Sequence, residues 1–306
     1  MFAIAQLERA EMILRLMTVS AFLLVGLYSL PKESHSVAHG QQTVETSFEN
    51  LRSPNQEVRD AAVNKLIEDA SEHGLGRILP GLLSALKEPD ADVRLRAAGI
   101  LAAAAYLNEV NARALSQAGP DLTGALGDRD PRVREASAHA IALMMPKPPE
   151  AAAPALMELL KDSEPTARKA ALEGLGRMTP TPTILSAILQ RLEKDDSATV
   201  KGQAIAALGQ LRASDSASVQ ALKSASHDPD PFVRQEVLHA FSNLPKEAAS
   251  KVIPEVQTMA HNPHEDPAIR SYATQVIHQR GWSTGSNPWN QEEPFVQPPP
   301  PIDHPH

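Results

Sequence analysis

Apolar positions in this chain recur at three fixed distances from a basic residue. A branched or small apolar residue stands one position before it, a small residue three after, and a large apolar residue seven after. The basic anchors are Arg59, Arg94, Arg134, Arg168, Lys201, Arg234 and Arg270, spaced 35, 40, 34, 33, 33 and 36 residues apart. The column before them reads Val58, Val93, Val133, Ala167, Val200, Val233 and Ile269. The column three after reads Ala62, Ala97, Ser137, Ala171, Ala204, Val237 and Ala273. The column seven after reads Leu66, Leu101, Ile141, Leu175, Leu208, Phe241 and Ile277. These offsets share one stripe of a 3.6-residue helix. The small residue in the middle lets another helix come close.

Each anchor helix has a start signal. Four residues before the anchor stand Asn55, Asp90, Asp130, Glu164, Ser197, Asp230 and Asp266. All but the glutamate are favoured N-caps. Pro131, Pro165, Pro231 and Pro267 follow in the first turn, where a missing N–H costs nothing. A second, more variable helix precedes each anchor helix. Leu156–Leu160, Ile184–Leu189 and Val252–Val256 show it, and Val44, Phe48 and Leu51 mark a shorter version in the first unit. A period of this length predicts a solenoid of helical hairpins, because one hairpin cannot bury both its faces and stacked neighbours can. The expected fold is all-α: a right-handed α-solenoid of about seven hairpins.

The residues Asp90, Val93, Arg94, Ala97 and Leu101, and the run Asp230-Pro231-Phe232-Val233-Arg234, resemble the HEAT-repeat family. They resemble more closely still the short HEAT-like repeats of phycobilin-lyase-type proteins. The resemblance covers residues 41–281 and implies a surface for binding, since the matching positions are those that build the stack. A bilin-lyase-like enzyme or chaperone is the alternative it raises. The deoxyhypusine hydroxylases also use HEAT-like repeats, with paired His-Glu dipeptides in both halves. Here the one such pair is His264-Glu265.

Composition narrows the function. The chain of 306 residues is 42% hydrophobic but only 4% aromatic, which suits close helix packing and disfavours a strand-rich fold. Net charge is −8, and residues 41–281 carry 26 basic against 31 acidic side chains. That leaves no basic stripe to displace counterions, so nucleic-acid binding ranks third among the readings. There is no cysteine, which excludes disulfides, thiolate metal sites and cysteine nucleophiles.

Both ends depart from the repeat. Leu16–Leu30 is free of charge, follows Arg15 and ends at Pro31. With residues 12–15 it is just long enough to cross a bilayer. Ser36-Val37-Ala38 offers a cleavage site. Residues 1–40 therefore read as a signal peptide or membrane anchor with a short linker, which places the protein in the periplasm or cell envelope of a bacterium. Glu8 and Glu11 are out of place in a leader, and a start at Met12 would remove them. Residues 282–306 hold Pro298–Pro301 and read as a proline-rich disordered tail.

No catalytic constellation is visible. The anchors form a ladder, and acids stand near most rungs: Asp90, Asp128, Asp130, Asp162, Asp195, Asp228 and Asp266. Pairing with these acids makes the ladder structural rather than a row for phosphate. His261, His264, Glu265 and Asp266 are suitable metal ligands in type, but match no recognised zinc spacing and have a capping role available. No cofactor or metal is expected. The remaining surface lies at offsets +1 and +5. Its candidate partner-binding residues are Asp60, Asn64, Glu135, His139, Lys169, Glu173, Gln235, His239 and Gln275. The expected function is a non-enzymatic scaffold or adaptor that binds another protein along this face.

Overall fold

The computed structural model describes residues 37–282. The leader over 12–30 and the proline-rich segment lie outside the described residues. Among the described residues there is no strand, and no helix is long and apolar enough to cross a membrane. The chain forms two compact units that divide between Leu159 and Leu160.

The first unit contains α1 (Val37–Asn50), α2 (Gln56–His73), α3 (Leu79–Ala85), α4 (Ala91–Leu107), α5 (Glu109–Ala114), α6 (Gly119–Ala125), α7 (Pro131–Ala142) and α8 (Ala153–Leu159). The anchor helices α2, α4 and α7 pack side by side, and α1, α3 and α6 each cover the anchor helix that follows. The second unit contains α9 (Pro165–Leu175), α10 (Pro182–Lys194), α11 (Ala198–Gln210), α12 (Ser216–Ala225), α13 (Pro231–Asn243), α14 (Lys246–Ala249), α15 (Ile253–His261) and α16 (Pro267–Arg280). Here α9, α11, α13 and α16 are the stacked anchor helices, with α10, α12 and α15 covering them. Within each unit this is the layering of an α-solenoid, as the periodicity predicts.

The three columns form the core. Leu66, Leu101, Ile141, Leu175, Leu208, Phe241 and Ile277 are buried, as are all seven small residues of the middle column. In the first column only Val58 is partly exposed. Small residues set the helix spacing. A Cβ on Gly176, the C-cap of α9, would lie 2.9 Å from the Ala207 Cα of α11. One on Gly209 of α11 would lie 3.3 Å from the Ala240 Cα of α13.

Two features depart from the sequence reading. The helices α3, α6 and α8 have only seven residues each, and single 3-10 turns at Leu75–Arg77, Leu115–Ala118 and Glu150–Ala152 lead into them. The long 40-residue spacing holds the extra helix α5. Its buried Asn111 accepts the Leu75 N–H at 2.8 Å and donates to the Ala70 carbonyl at 3.0 Å, which satisfies the backbone where α2 ends.

Candidate functional site

The N-caps position the anchors. Asn55, Asp90, Asp130, Asp230 and Asp266 each accept a backbone N–H from the first turn of their helix. Ser197 does not: its hydroxyl pairs with Thr199 at 2.9 Å, and no side-chain cap forms. Glu164 also makes none, since its side chain is one carbon too long for the Asx geometry.

With the helix start fixed, each anchor arginine turns back into its own loop. Arg94 Nη1 donates to the carbonyls of Glu88 and Pro89, both at 2.8 Å. Arg168 Nη1 does the same to Asp162 (2.9 Å) and Ser163 (3.1 Å), and Arg234 Nη1 to Asp228 (2.8 Å) and Pro229 (3.0 Å). The rest of the guanidinium reaches the loop of the next hairpin. Arg94 Nε and Nη2 grip Asp128 at 2.7 and 2.8 Å. Arg168 grips Asp195 at 2.8 and 2.7 Å, and also meets Asp196 at 2.9 Å. Arg234 grips Glu265 at 3.0 and 2.6 Å. Lys201, with a single ammonium, makes one bond to Asp228 at 3.0 Å. Each rung thus joins two successive loops through fixed fork geometry.

The receiving acids hold their own loops too. Asp128, Asp195 and Asp228 each accept the N–H of the N-cap two residues on. The charges respond accordingly. The Arg94 hydrogen bonds hold the Asp128 carboxyl below the usual carboxylate range against its burial. For Asp195 burial pushes the carboxyl up, and Arg168 with the Ser197 N–H overrides it and brings it below the usual range. Arg94 and Arg168 are held correspondingly more firmly as cations, by the same hydrogen bonds.

This sorts the acids near the ladder. Asp128, Asp195 and Asp228 are rung partners. Asp90, Asp130 and Asp266 are caps instead, because an N-cap carboxylate is already turned to its own helix. Glu265, expected to cap, is the rung partner of Arg234, while Asp266 beside it caps α16. Arg59 is one of two anchors that grip no carboxylate among the described residues, Arg270 of the last hairpin being the other. Arg59 holds the carbonyls of Ser53 and Pro54 at 2.8 and 2.9 Å, but its Nε is buried with no partner among the described residues. Glu88, two before the cap of the next helix, pairs with Arg52 instead.

The named +1 and +5 positions differ in exposure. Asp60, Asn64, Glu135, His139, Lys169 and Glu173 are half-buried, whereas Gln235, His239 and Gln275 are exposed. In the first unit His139 Nε2 stands 3.9 Å from Glu135 Oε1, one turn away. In the second unit His239 shares a hydrogen bond with the Tyr272 hydroxyl at 2.9 Å, with ring centroids 4.7 Å apart. Burial pushes the Tyr272 phenol above its usual range. Tyr272 is a surface residue that the offset reading missed. Its signal was an aromatic at +2, where other repeats carry alanine, arginine, glutamine or glutamate. Gly202, at +1, is buried under the Phe232 ring and presents no side chain.

Among the described residues no group of three or more histidine, aspartate or glutamate side chains could hold a metal ion. Of the His261–Asp266 set, Glu265 and Asp266 are engaged as above, and His261 Nδ1 lies 2.8 Å from the Gln257 carbonyl.

The stacked hairpins and stapled loops define a class of helical-repeat proteins. The chain belongs to the HEAT-repeat family, whose model matches residues 79–176 and 185–278, more than half of its length. Solved structures of similar fold include an archaeal HEAT-like repeat protein from Thermococcus onnurineus NA1, 15% identical, with a TM-score of 0.54 over 81% of this chain and 97% of that one. YibA of E. coli is 19% identical, with a TM-score of 0.51 over 82% and 100%. An engineered protein is 22% identical, with a TM-score of 0.51 over 76% and 67%. These likenesses concern the fold. No curated protein matches the chain.

Proposed function

We propose that this protein is a non-enzymatic scaffold or adaptor of the bacterial cell envelope that binds another protein along the +1/+5 face of its anchor helices. One observation carries the reading. The ladder cations Arg94, Arg168, Lys201 and Arg234 are bound into loops, so they serve the stack and not a polyanion. What remains for recognition is the adjoining face, whose side chains differ from repeat to repeat. Its most open stretch is Gln235, His239 and Gln275, with Tyr272 between them as an anchor of the type enriched at binding hot spots. The uncharged run Leu16–Leu30 supports an envelope location.

Affinity capture from the native host tests this. A triple variant, Gln235→Ala, His239→Ala and Gln275→Ala, should melt within about 1 kcal/mol of the wild type, as surface changes do. It should lose the captured protein at least tenfold. Retention of every partner at wild-type yield would refute the assignment of the face.

A further inference from the structure

In the second unit one pair of loops encloses a cleft where a pair two repeats earlier is bridged by an arginine. A cleft of about 290 Å³ lies between the loop that follows α12 and the loop that follows α15, lined among others by Ser226, Glu255, Thr258, Asn262, His264 and Glu265. The comparison is with the loops after Leu160 and after α10. There Arg191, on the last turn of α10, donates from Nη1 to the Leu160 carbonyl at 3.2 Å and stands 3.7 Å from Asp195.

Each partner of Arg191 has a counterpart in the cleft. Leu160 stands eight residues before Arg168, and Ser226 eight before Arg234. Asp195 receives Arg168, and Glu265 receives Arg234. The counterpart of Arg191 itself is Thr258. The carbonyl of Arg191 accepts the closing N–H of α10 from Asp195, and that of Thr258 accepts the closing N–H of α15 from Asn262. Threonine is too short to span the gap, and its hydroxyl is turned to the Pro254 carbonyl at 2.9 Å. Beside it, Glu255 meets Lys223 through Oε1 at 2.9 Å, but its Oε2 is buried with no hydrogen-bond partner. A buried carboxylate oxygen without a donor is costly.

We infer that this cleft binds a guanidinium group from outside the chain, seated where the chain's own Arg191 guanidinium sits two repeats earlier, with the Glu255 carboxylate turned into the cleft so that Oε2 accepts from it. Such a group is carried by an arginine side chain on a partner protein or by a small free guanidinium compound. The planar fork suits two acceptors at fixed angles better than an ammonium does. The cleft lies on the loop edge, so the inference stands independently of the +1/+5 face.

The test uses the full chain and three probes: acetyl-Gly-Arg-Gly-amide, the same peptide with lysine, and methylguanidine. Binding is followed by calorimetry or by amide shifts of residues 255–265. The arginine peptide should bind at least tenfold more tightly than the lysine peptide. Binding should fall at least tenfold in Glu255→Gln with the fold retained by circular dichroism. Methylguanidine matching the peptide would point to a small-molecule source, and a tighter peptide to a partner's side chain. Thr258→Arg supplies the missing guanidinium from the chain itself, so it should abolish probe binding and raise the melting temperature. No binding by any probe, binding indifferent to Glu255→Gln, or Thr258→Arg that leaves binding intact would overturn the inference.

Discussion

At the scale of single residues, the anchors differ in what they are bound to, and their removal should differ in cost. Arg168 and Asp195 form the most buried of the four rungs described, with side chains 8% and 1% exposed. Arg168→Gln would strip the buried Asp195 carboxylate of its two arginine bonds and leave it the Ser197 N–H and the more distant Arg191, at about 3 kcal/mol, the lower end for a broken buried pair. Arg59 lacks a carboxylate on its Nε, so Arg59→Gln should cost only about 1 kcal/mol through its loop carbonyls. Thermal or urea unfolding of the two variants checks the order, and equal losses would mean that the carboxylate bonds do not carry the rung. The same pair makes a pH prediction. The Asp195 carboxyl lies below its unfolded value, near 4, so its contribution is fully present above about pH 4 and is lost as pH falls through the depressed folded value. In Arg168→Gln only the Ser197 N–H and Arg191 still oppose burial, so that carboxyl is depressed less. Melting curves between pH 7 and 3 should therefore show the variant's deficit shrinking as the wild type loses stability. The anchors were legible in the sequence because they sit at fixed offsets in a repeat. Which acid each one grips was only partly legible. An aspartate two residues before a cap and one at the cap look alike in sequence, and Glu265 sits in a loop with two extra residues, where Arg270 reaches back to the carbonyls of Asn262 and Pro263 rather than to positions −6 and −5.

At the scale of elements, glycine and alanine decide how closely the anchor helices approach. Glycine in a helix interior costs about 0.5–1 kcal/mol relative to alanine, so it persists either for a packing reason or for none. Gly176, at the C-cap of α9, is held by packing, and Gly99, inside α4, by none. A Cβ at Gly176 would meet the α11 backbone at 2.9 Å, whereas one at Gly99 of α4 would meet nothing within 4 Å. Gly176→Ala should destabilise by about 1–3 kcal/mol through overpacking. Gly99→Ala should stabilise by about 0.5–1 kcal/mol. Opposite signs in chemical denaturation are expected, and a stabilising Gly176→Ala would show that α9 and α11 can slide apart freely. Ala204 of α11, buried at the centre of its column, belongs with Gly176, and tryptophan there should be worse than at the half-buried Ala206. The helices and their core columns were legible because burial follows the 3.6-residue period. The 3-10 turns and α5 were not, since three to six residues hold too little periodicity to announce themselves.

At the scale of the whole molecule, surface charge and the ends of the chain bear on where it works. A net charge of −8, with the ladder cations Arg94, Arg168, Lys201 and Arg234 consumed in loops, gives polyanions little to hold, so association with nucleic acid should be weak and abolished by modest salt. The repeat itself is silent about location, because the core columns are the same in any compartment. The segment ahead of it is not silent. Leu16–Leu30 carries no charge, and a cut near Ala38 would leave Val44 and Leu51, which are buried in the first hairpin, with the mature chain. The stack would therefore survive processing. Retention of the run as an anchor would preserve it equally, since α1 begins at Val37, beyond Pro31. Expressed in a bacterium, the protein should be recovered outside the cytosol. Fractionation with N-terminal sequencing then separates the two routes: a periplasmic chain starting near His39 means a cleaved leader, and a full-length chain in the membrane fraction means an anchor. Full-length protein confined to the cytosol would remove the envelope from the proposed function and leave the scaffold reading to stand on the helix face alone.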